Sequence, residues 1–97
     1  MSIEIVAKAL KELGHPTRLA VYKQVMKAGP KGVAVGKLGD NIGIPNSTLS
    51  HHISSMITAG LITQHREGRV LYCIANYEMR ENVLNFLQQE CCIDSTF

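Results

Sequence analysis

The residues able to do chemistry or recognition fall into three groups. Cys91 and Cys92 are adjacent near the C-terminal end, and Cys73 stands alone. An odd count with one adjacent pair is a poor disulfide framework, so these groups are expected to stay reduced and to act through thiolate chemistry. The second group is Asn46, Ser47, Thr48, Ser50 and His51, a run of short hydrogen-bonding side chains. Side chains of this kind can read base edges in a major groove about 12 Å wide, where carboxylates would repel the phosphates. The third is Arg66 with Arg69, which can reach phosphates or a narrow minor groove. From Asn41 to His65 there is no acidic side chain, while His51, His52 and His65 all fall there. Such a neutral-to-basic stretch can lie against phosphate even though the chain as a whole carries only +2.

Catalysis is not supported by the same inventory. There is no C-x-x-C spacing, no base partner beside Cys91, no glycine-rich phosphate loop and no paired carboxylate site, so a small thiol enzyme rests on the cysteines alone. No constitutive cofactor is expected. At 97 residues the chain is one domain, residues 1–97, and its 45% hydrophobic content suffices for a folded core. Aromatics are scarce and Trp is absent, which leaves Ile, Leu, Val, Ala and Met to fill that core and favours helices. No apolar run approaches membrane-spanning length and the first residues lack a signal-peptide pattern, so a cytoplasmic location is expected.

The positioning elements follow from periodicity and punctuation. Ile3, Val6, Leu10 and Leu13 predict an amphipathic helix over 3–13, closed by Gly14. Pro16 opens a second helix that stops at Ala28-Gly29-Pro30. Val33-Ala34-Val35 is short and β-prone, and 36–42 holds about two turns of helix. After the turn Gly43-Ile44-Pro45, Asn46 is expected to cap a helix running to Ala59, with Leu49, Ile53, Met56 and Ile57 on its inner face. Residues 61–64 and 70–74 predict a hairpin turning at Gly68, and the last helix is expected over 77–92.

Two helices joined by a tight glycine-containing turn and followed at once by a hairpin form a winged helix-turn-helix, here mainly α with five helices and a small β-hairpin. Singly, Ser47 and Thr48 read as helix caps and Arg66 and Arg69 as a solvated turn. Together, with no acid among them, they favour contact with double-stranded DNA over a winged-helix module that binds protein. His51 is assigned to the outer face. His52, three residues after Leu49 and four before Met56, is read as a hydrogen-bonded histidine at the core edge.

The sequence resembles the ArsR/SmtB family of bacterial winged-helix repressors. The resemblance is carried by Leu13-Gly14-His15-Pro16-Thr17-Arg18-Leu19, Ser47-Thr48-Leu49-Ser50-His51-His52-Ile53, Ala59-Gly60-Leu61-Ile62 and Arg66-Glu67-Gly68-Arg69 with Tyr72. It implies a homodimer joined through its first and last helices, seated on a palindromic operator and released by a ligand. The family's thiolate site on the first helix of the helix-turn-helix is absent, since 32–40 holds no Cys, and no His follows His65 for a zinc site on the last helix. What remains is Glu90-Cys91-Cys92, which looks like the C-terminal vicinal pair of arsenite-responsive members. Trivalent arsenic is soft and thiophilic, so the pair is expected to chelate it as the inducer, arsenite or a methylated arsenical. Cys91 also continues the apolar spacing from Leu87 and has an alternative reading as a small buried hydrophobe. Strict alternation with Tyr72 and Ile74 inward would turn Cys73 outward, where its thiolate could complete a three-sulfur site. The alternative within the same fold is a repressor answering to oxidants or reactive sulfur.

Overall fold

The computed structural model describes residues 1–95. Its elements run α1 (Ile3–Leu13), α2 (Pro16–Ala28), β1 (Val33–Ala34), α3 (Val35–Ile42), α4 (Asn46–Thr58), β2 (Ile62–Glu67), β3 (Val70–Ala75) and α5 (Tyr77–Gln88). Five helices and a small antiparallel sheet make the winged helix-turn-helix expected from the sequence, with one short strand added to the hairpin.

Local chemistry accounts for most boundaries. The Ser2 side chain accepts the Ile5 N–H at 3.2 Å and starts α1, and Gly14 ends it. Pro16 occupies the first turn of α2, where its missing N–H costs nothing, and His15 Nδ1 caps that helix by accepting the Thr17 N–H. Gly29, at φ 77°, stops it. The helix-turn-helix corner is tight: a Cβ on Gly39 of α3 would stand 3.1 Å from Asn46 Oδ1, so a larger residue there would push the Asn46 amide aside. Asn46 is therefore not the cap predicted for α4. Pro45 holds the cap position, without a side-chain hydrogen bond, and Asn46 is the first helical residue, its amide turned to α3.

The sheet order is β1-β3-β2, so β3 is central. Pairing of Ile62 with Ala75 through Glu67 with Val70 leaves Gly68-Arg69 as a two-residue loop. Gly68 at φ 61° takes the first central position, as a type II′ turn requires. Strand β2 thus runs to Glu67 and carries His65 and Arg66, which the sequence had placed in the turn. The core is formed by Val6 and Ala9 of α1, Val21 and Val25 of α2, Leu38, Leu49, Ile53, Met56, Leu61 and Ile62. Ile57, expected inside, is exposed. Among the described residues, no helix is long and apolar enough to cross a membrane.

Helix α5 stops four residues short of the predicted Cys92. Gln89 leaves the helical conformation at ψ 142°, and the segment beyond folds into turns, with Cys91 N–H on Gln88 O and Ser95 N–H on Cys92 O. Glu90 and Cys92 adopt φ of 62° and 65°. The apolar spacing that extends to Cys91 has nothing to pack against there, and without a buried face the last turn does not propagate.

Candidate nucleic-acid interface and thiol pair

Helix α4 is held by one face and offers the other. Leu49, Ile53 and Met56 are each at most 3% exposed, while Asn46, Ser47, Thr48, Ser50 and His51 are all exposed. The structure thus gathers the five predicted contact residues in the first two turns of one helix. That end carries the partial positive charge of the helix dipole, with no acid in its first turn. The arrangement can donate to and accept from base edges and can approach phosphate.

The wing stands beside it. Directly paired residues share a sheet face, so Gln64 and Arg66 lie with Cys73 and Leu71 on the side that meets α4. A cleft of about 270 Å³ separates α4 from the wing, lined by Ser50, Ser54, Thr58, Gln64 and Leu71, with Ile57 at its wall. Arg66 and Arg69 are exposed on the strand and at the tip. Sequence reasoning missed Ser54 and Gln64, although Ser50, Ser54 and Thr58 recur every four residues and so trace one ridge.

Behind the recognition face, His52 is 8% exposed, in keeping with the core-edge reading. Its Nδ1 accepts from Arg18 Nε at 3.1 Å, and Arg18 in turn donates to the Glu12 carboxylate of α1. The His15 ring lies 4.8 Å from that of His52, centre to centre. Burial holds the His52 pKa below its ordinary 6.5, helped by His15, Arg18 and His51. Arg18 and Glu12 were not singled out as functional from the sequence, and nothing in their spacing announces that α1, α2 and α4 meet through them.

The thiols divide. Cys73 is fully buried, because on the central strand the face shared with Ala75 packs against the helices, and Tyr72 and Ile74 take the other. Its expected outward orientation is thus corrected. Burial pushes the thiol pKa up, and Gln64 Nε2 approaches Sγ at 3.8 Å, opposing that shift. Cys91 and Cys92 are exposed with their Sγ atoms 3.0 Å apart. Sharing a hydrogen bond with Cys91 raises the Cys92 thiol above its ordinary range, with a smaller contribution from desolvation. Among the described residues, no group of three His, Cys, Asp or Glu side chains is assembled for a metal ion. The predicted three-thiol set is therefore not brought together within the chain.

A third surface is apolar. Leu10 of α1 and Leu84 and Leu87 of α5 are 40%, 48% and 58% exposed and border a groove of about 180 Å³ floored by Leu13, Tyr22 and Val83. Isolated exposed leucines are ordinary, but a contiguous row on two neighbouring helices marks an interaction surface.

The helix-turn-helix domain family matches residues 13–65. An uncharacterised HTH-type transcriptional regulator of Methanocaldococcus jannaschii is 34% identical over 65 residues, covering 67% of this chain and 71% of the relative. The HTH-type transcriptional repressor SmtB of Mycobacterium tuberculosis is 29% identical over 84 residues, or 86% of this chain and 60% of its own length. Among solved structures, an ArsR family transcriptional regulator superposes with a TM-score of 0.81 at 23% identity, covering 100% of this chain and 98% of the other. A homodimeric winged helix-turn-helix DNA-binding domain of Mycobacterium bovis superposes with a TM-score of 0.74 at 20% identity, covering 88% and 77%. With the exposed polar face of α4 and the adjacent wing, these matches mean that the chain belongs to the helix-turn-helix transcriptional regulators and has the winged-helix fold of the ArsR family.

Proposed function

We propose that the protein is a homodimeric repressor that leaves its operator when Cys91 and Cys92 bind trivalent arsenic. The observation that carries this reading is the thiol pair itself: two exposed sulfurs 3.0 Å apart, with no side-chain hydrogen-bond partner other than each other among the described residues. A chelate across them forms two As–S bonds as two As–OH bonds break, each hydroxide leaving as water with one thiol proton and no change of oxidation state. It suits a soft centre such as arsenite or a monoalkylated trivalent arsenical with two exchangeable hydroxyls. Cys73, buried in the sheet, is no part of the site.

A disulfide across the same pair is disfavoured. Adjacent Cα atoms are about 3.8 Å apart, below the usual disulfide span of about 4.4 to 6.8 Å. An oxidant-responsive repressor would have to form that strained ring, whereas attachment of one sulfur to one thiol would not.

Dimerisation is supported by the leucine row on α1 and α5 and by the homodimeric assembly named for the M. bovis domain. The thiol pair follows α5 directly, so closing an arsenic chelate would reset the turn that begins at Gln89 and load the end of that helix. In a dimer joined there, half-site spacing of the two α4 helices would change. Release requires the ligand to favour the DNA-free form by about 1 to 3 kcal/mol, as in typical allosteric couplings.

The test uses a labelled duplex selected from a random-sequence library with the unmodified protein. Titration with arsenite and with monomethylated trivalent arsenical should release that protein but not Cys91→Ser/Cys92→Ser. Full release of the double variant removes the pair from the mechanism, and release of the unmodified protein by neither compound rejects arsenic sensing. Leu87→Asp places an unpaired carboxylate in the apolar row and should turn dimer into monomer, with DNA affinity falling alongside. A monodisperse monomer of the unmodified protein at micromolar concentration, by light scattering, would contradict the dimer.

A further inference from the structure

The helices that carry recognition and those assigned to the dimer interface are tied by one buried polar chain. Glu12 on α1 accepts from Arg18 on α2, and Arg18 Nε donates to Nδ1 of His52 on α4. Side-chain exposures of 16% and 11% put the Arg18 and Glu12 ends out of bulk water. Among the described residues, no other side-chain to side-chain hydrogen bond joins one helix to another.

We propose that Glu12, Arg18 and His52 form a positioning chain that seats the recognition helix for operator reading, and that protonation of His52 at Nδ1 releases it. This rests on the DNA-binding reading above.

The chemistry follows from the donor count. Arg18 is always a donor, so His52 can satisfy it only with a bare Nδ1, its proton on Nε2. Once Nδ1 is protonated, two donors and two positive charges face each other at the core edge. The bond is then lost, and the repulsion adds to the cost of burying an imidazolium. The charged and titratable groups facing His52 are Glu12 from α1 through Arg18, His15 at the α1–α2 junction, Arg18 from α2, and His51 on its own helix, 6.1 Å ring to ring. Among the described residues, the charged groups that shift its pKa come from α2, the α1–α2 junction and α4 itself.

His52 directly follows His51 and lies two residues from Ser50, both on the face offered to DNA. A turn of α4 about its axis moves all three together, since successive residues lie about 100° apart on one rigid helix. Loss of the chain therefore misplaces the base-reading side chains. Sequence-blind attraction to phosphate is a separate effect, set by the net charge of the surface and by salt. The two effects separate in the ratio of affinities for a selected duplex and a random one.

The experiment measures that ratio from about pH 7.5 to about pH 4.5, a span that reaches below the ordinary histidine range of about pH 5 to 8 because burial holds His52 down. For the unmodified protein the ratio should fall at least about fivefold, a typical coupling. His52→Asn presents an oxygen near the Nδ1 position and does not titrate, so it should keep the neutral-pH ratio and flatten the profile. His15→Asn, which can still cap α2 but cannot titrate, should leave the fall in place. In parallel, imidazole nitrogen shifts of the unmodified protein should show His52 with Nδ1 bare at neutral pH, titrating at the same midpoint as the ratio. This measurement keeps the test decisive even where His52→Asn does not fold. A protonated Nδ1 at neutral pH, or parallel profiles for His52→Asn and the unmodified protein, overturns the positioning chain. Absence of any selected duplex would instead strike at the DNA-binding reading.

Discussion

The residues proposed to face DNA and the thiol pair sit on opposite kinds of backbone. Helix α4 displays Ser50 and His51 from a frame fixed by Leu49, Ile53 and Met56, all essentially inaccessible to water. Cys91 and Cys92 lie beyond the last helix, on consecutive turns with two left-handed residues, and no side chain of theirs is buried. Base reading needs donors and acceptors held to a fraction of an ångström, which packing supplies. A sensor must change conformation for the free energy of one ligand, and segments with few buried contacts do so most cheaply. The difference is between a stiff frame under α4 and a pliant C-terminal segment, with α5 between them; in the function proposed above, the first is the output and the second the input.

The largest effect is expected on the stiff side. Leu49→Ala empties a fully buried position under the recognition helix and should cost about 2 to 5 kcal/mol of stability, the range for large-to-small core changes. Chemical unfolding of the unmodified protein and the variant at one protein concentration measures it, since a dimer's stability depends on concentration. A loss below about 1 kcal/mol, within the surface range, would mean that α4 is not held by this face, and the comparison would break.

A smaller effect sharpens the comparison by separating frame from surface. Ser50→Ala and His51→Ala leave the inner face untouched, so each should leave unfolding nearly unchanged. Each should cost about 1 to 3 kcal/mol in binding the selected duplex, where it removes a good base contact. Arg69→Ala at the wing tip should instead weaken selected and random duplexes alike and lower the salt dependence by about one phosphate contact. Equal losses on both duplexes for all three variants would show that α4 positions the protein without reading sequence.

How far the sequence disclosed this division can be argued residue by residue. Helix α1 was legible to both ends, 3 to 13 with Gly14 closing it, although of its stripe Ile3, Val6, Leu10 and Leu13 only Val6 is buried, while Ile3 and Leu10 are exposed in the single chain. The exposed face of α4 was equally legible, since Leu49, Ile53 and Met56 set its orientation. Helix α5 was overextended because Cys91 continues the spacing from Leu87, and periodicity does not tell whether a partner surface exists. Leu87 itself is 58% exposed in the single chain. Cys73 was turned the wrong way because alternation fixes only relative orientation. Which face of β3 is inner depends on β1 and the helices packed on it. The contact of Glu12, Arg18 and His52 spans 40 residues of chain and arises only from the crossing of three helices.

The smallest effect belongs to the pliant side, and its smallness is the prediction. Cys91→Ser/Cys92→Ser removes two exposed sulfurs that share a hydrogen bond only with each other among the described residues, so it opens no buried cavity and orphans no buried group. The double variant should therefore unfold within about 0.5 kcal/mol of the unmodified protein, as surface changes do. It should also bind the selected duplex with unchanged affinity when no arsenical is present. Cys73→Ser is the instructive contrast: it buries a hydroxyl in the central strand, with only Gln64 in reach, and should cost about 1 to 3 kcal/mol while leaving arsenical release intact. One chemical change, sulfur to oxygen, thus reads the two regions at once. It is silent in stability where the backbone is free and costly where the sheet holds it. A double variant that loses more stability than Cys73→Ser would mean that the C-terminal turns are packed against something in the assembled protein, and the input could no longer be called pliant.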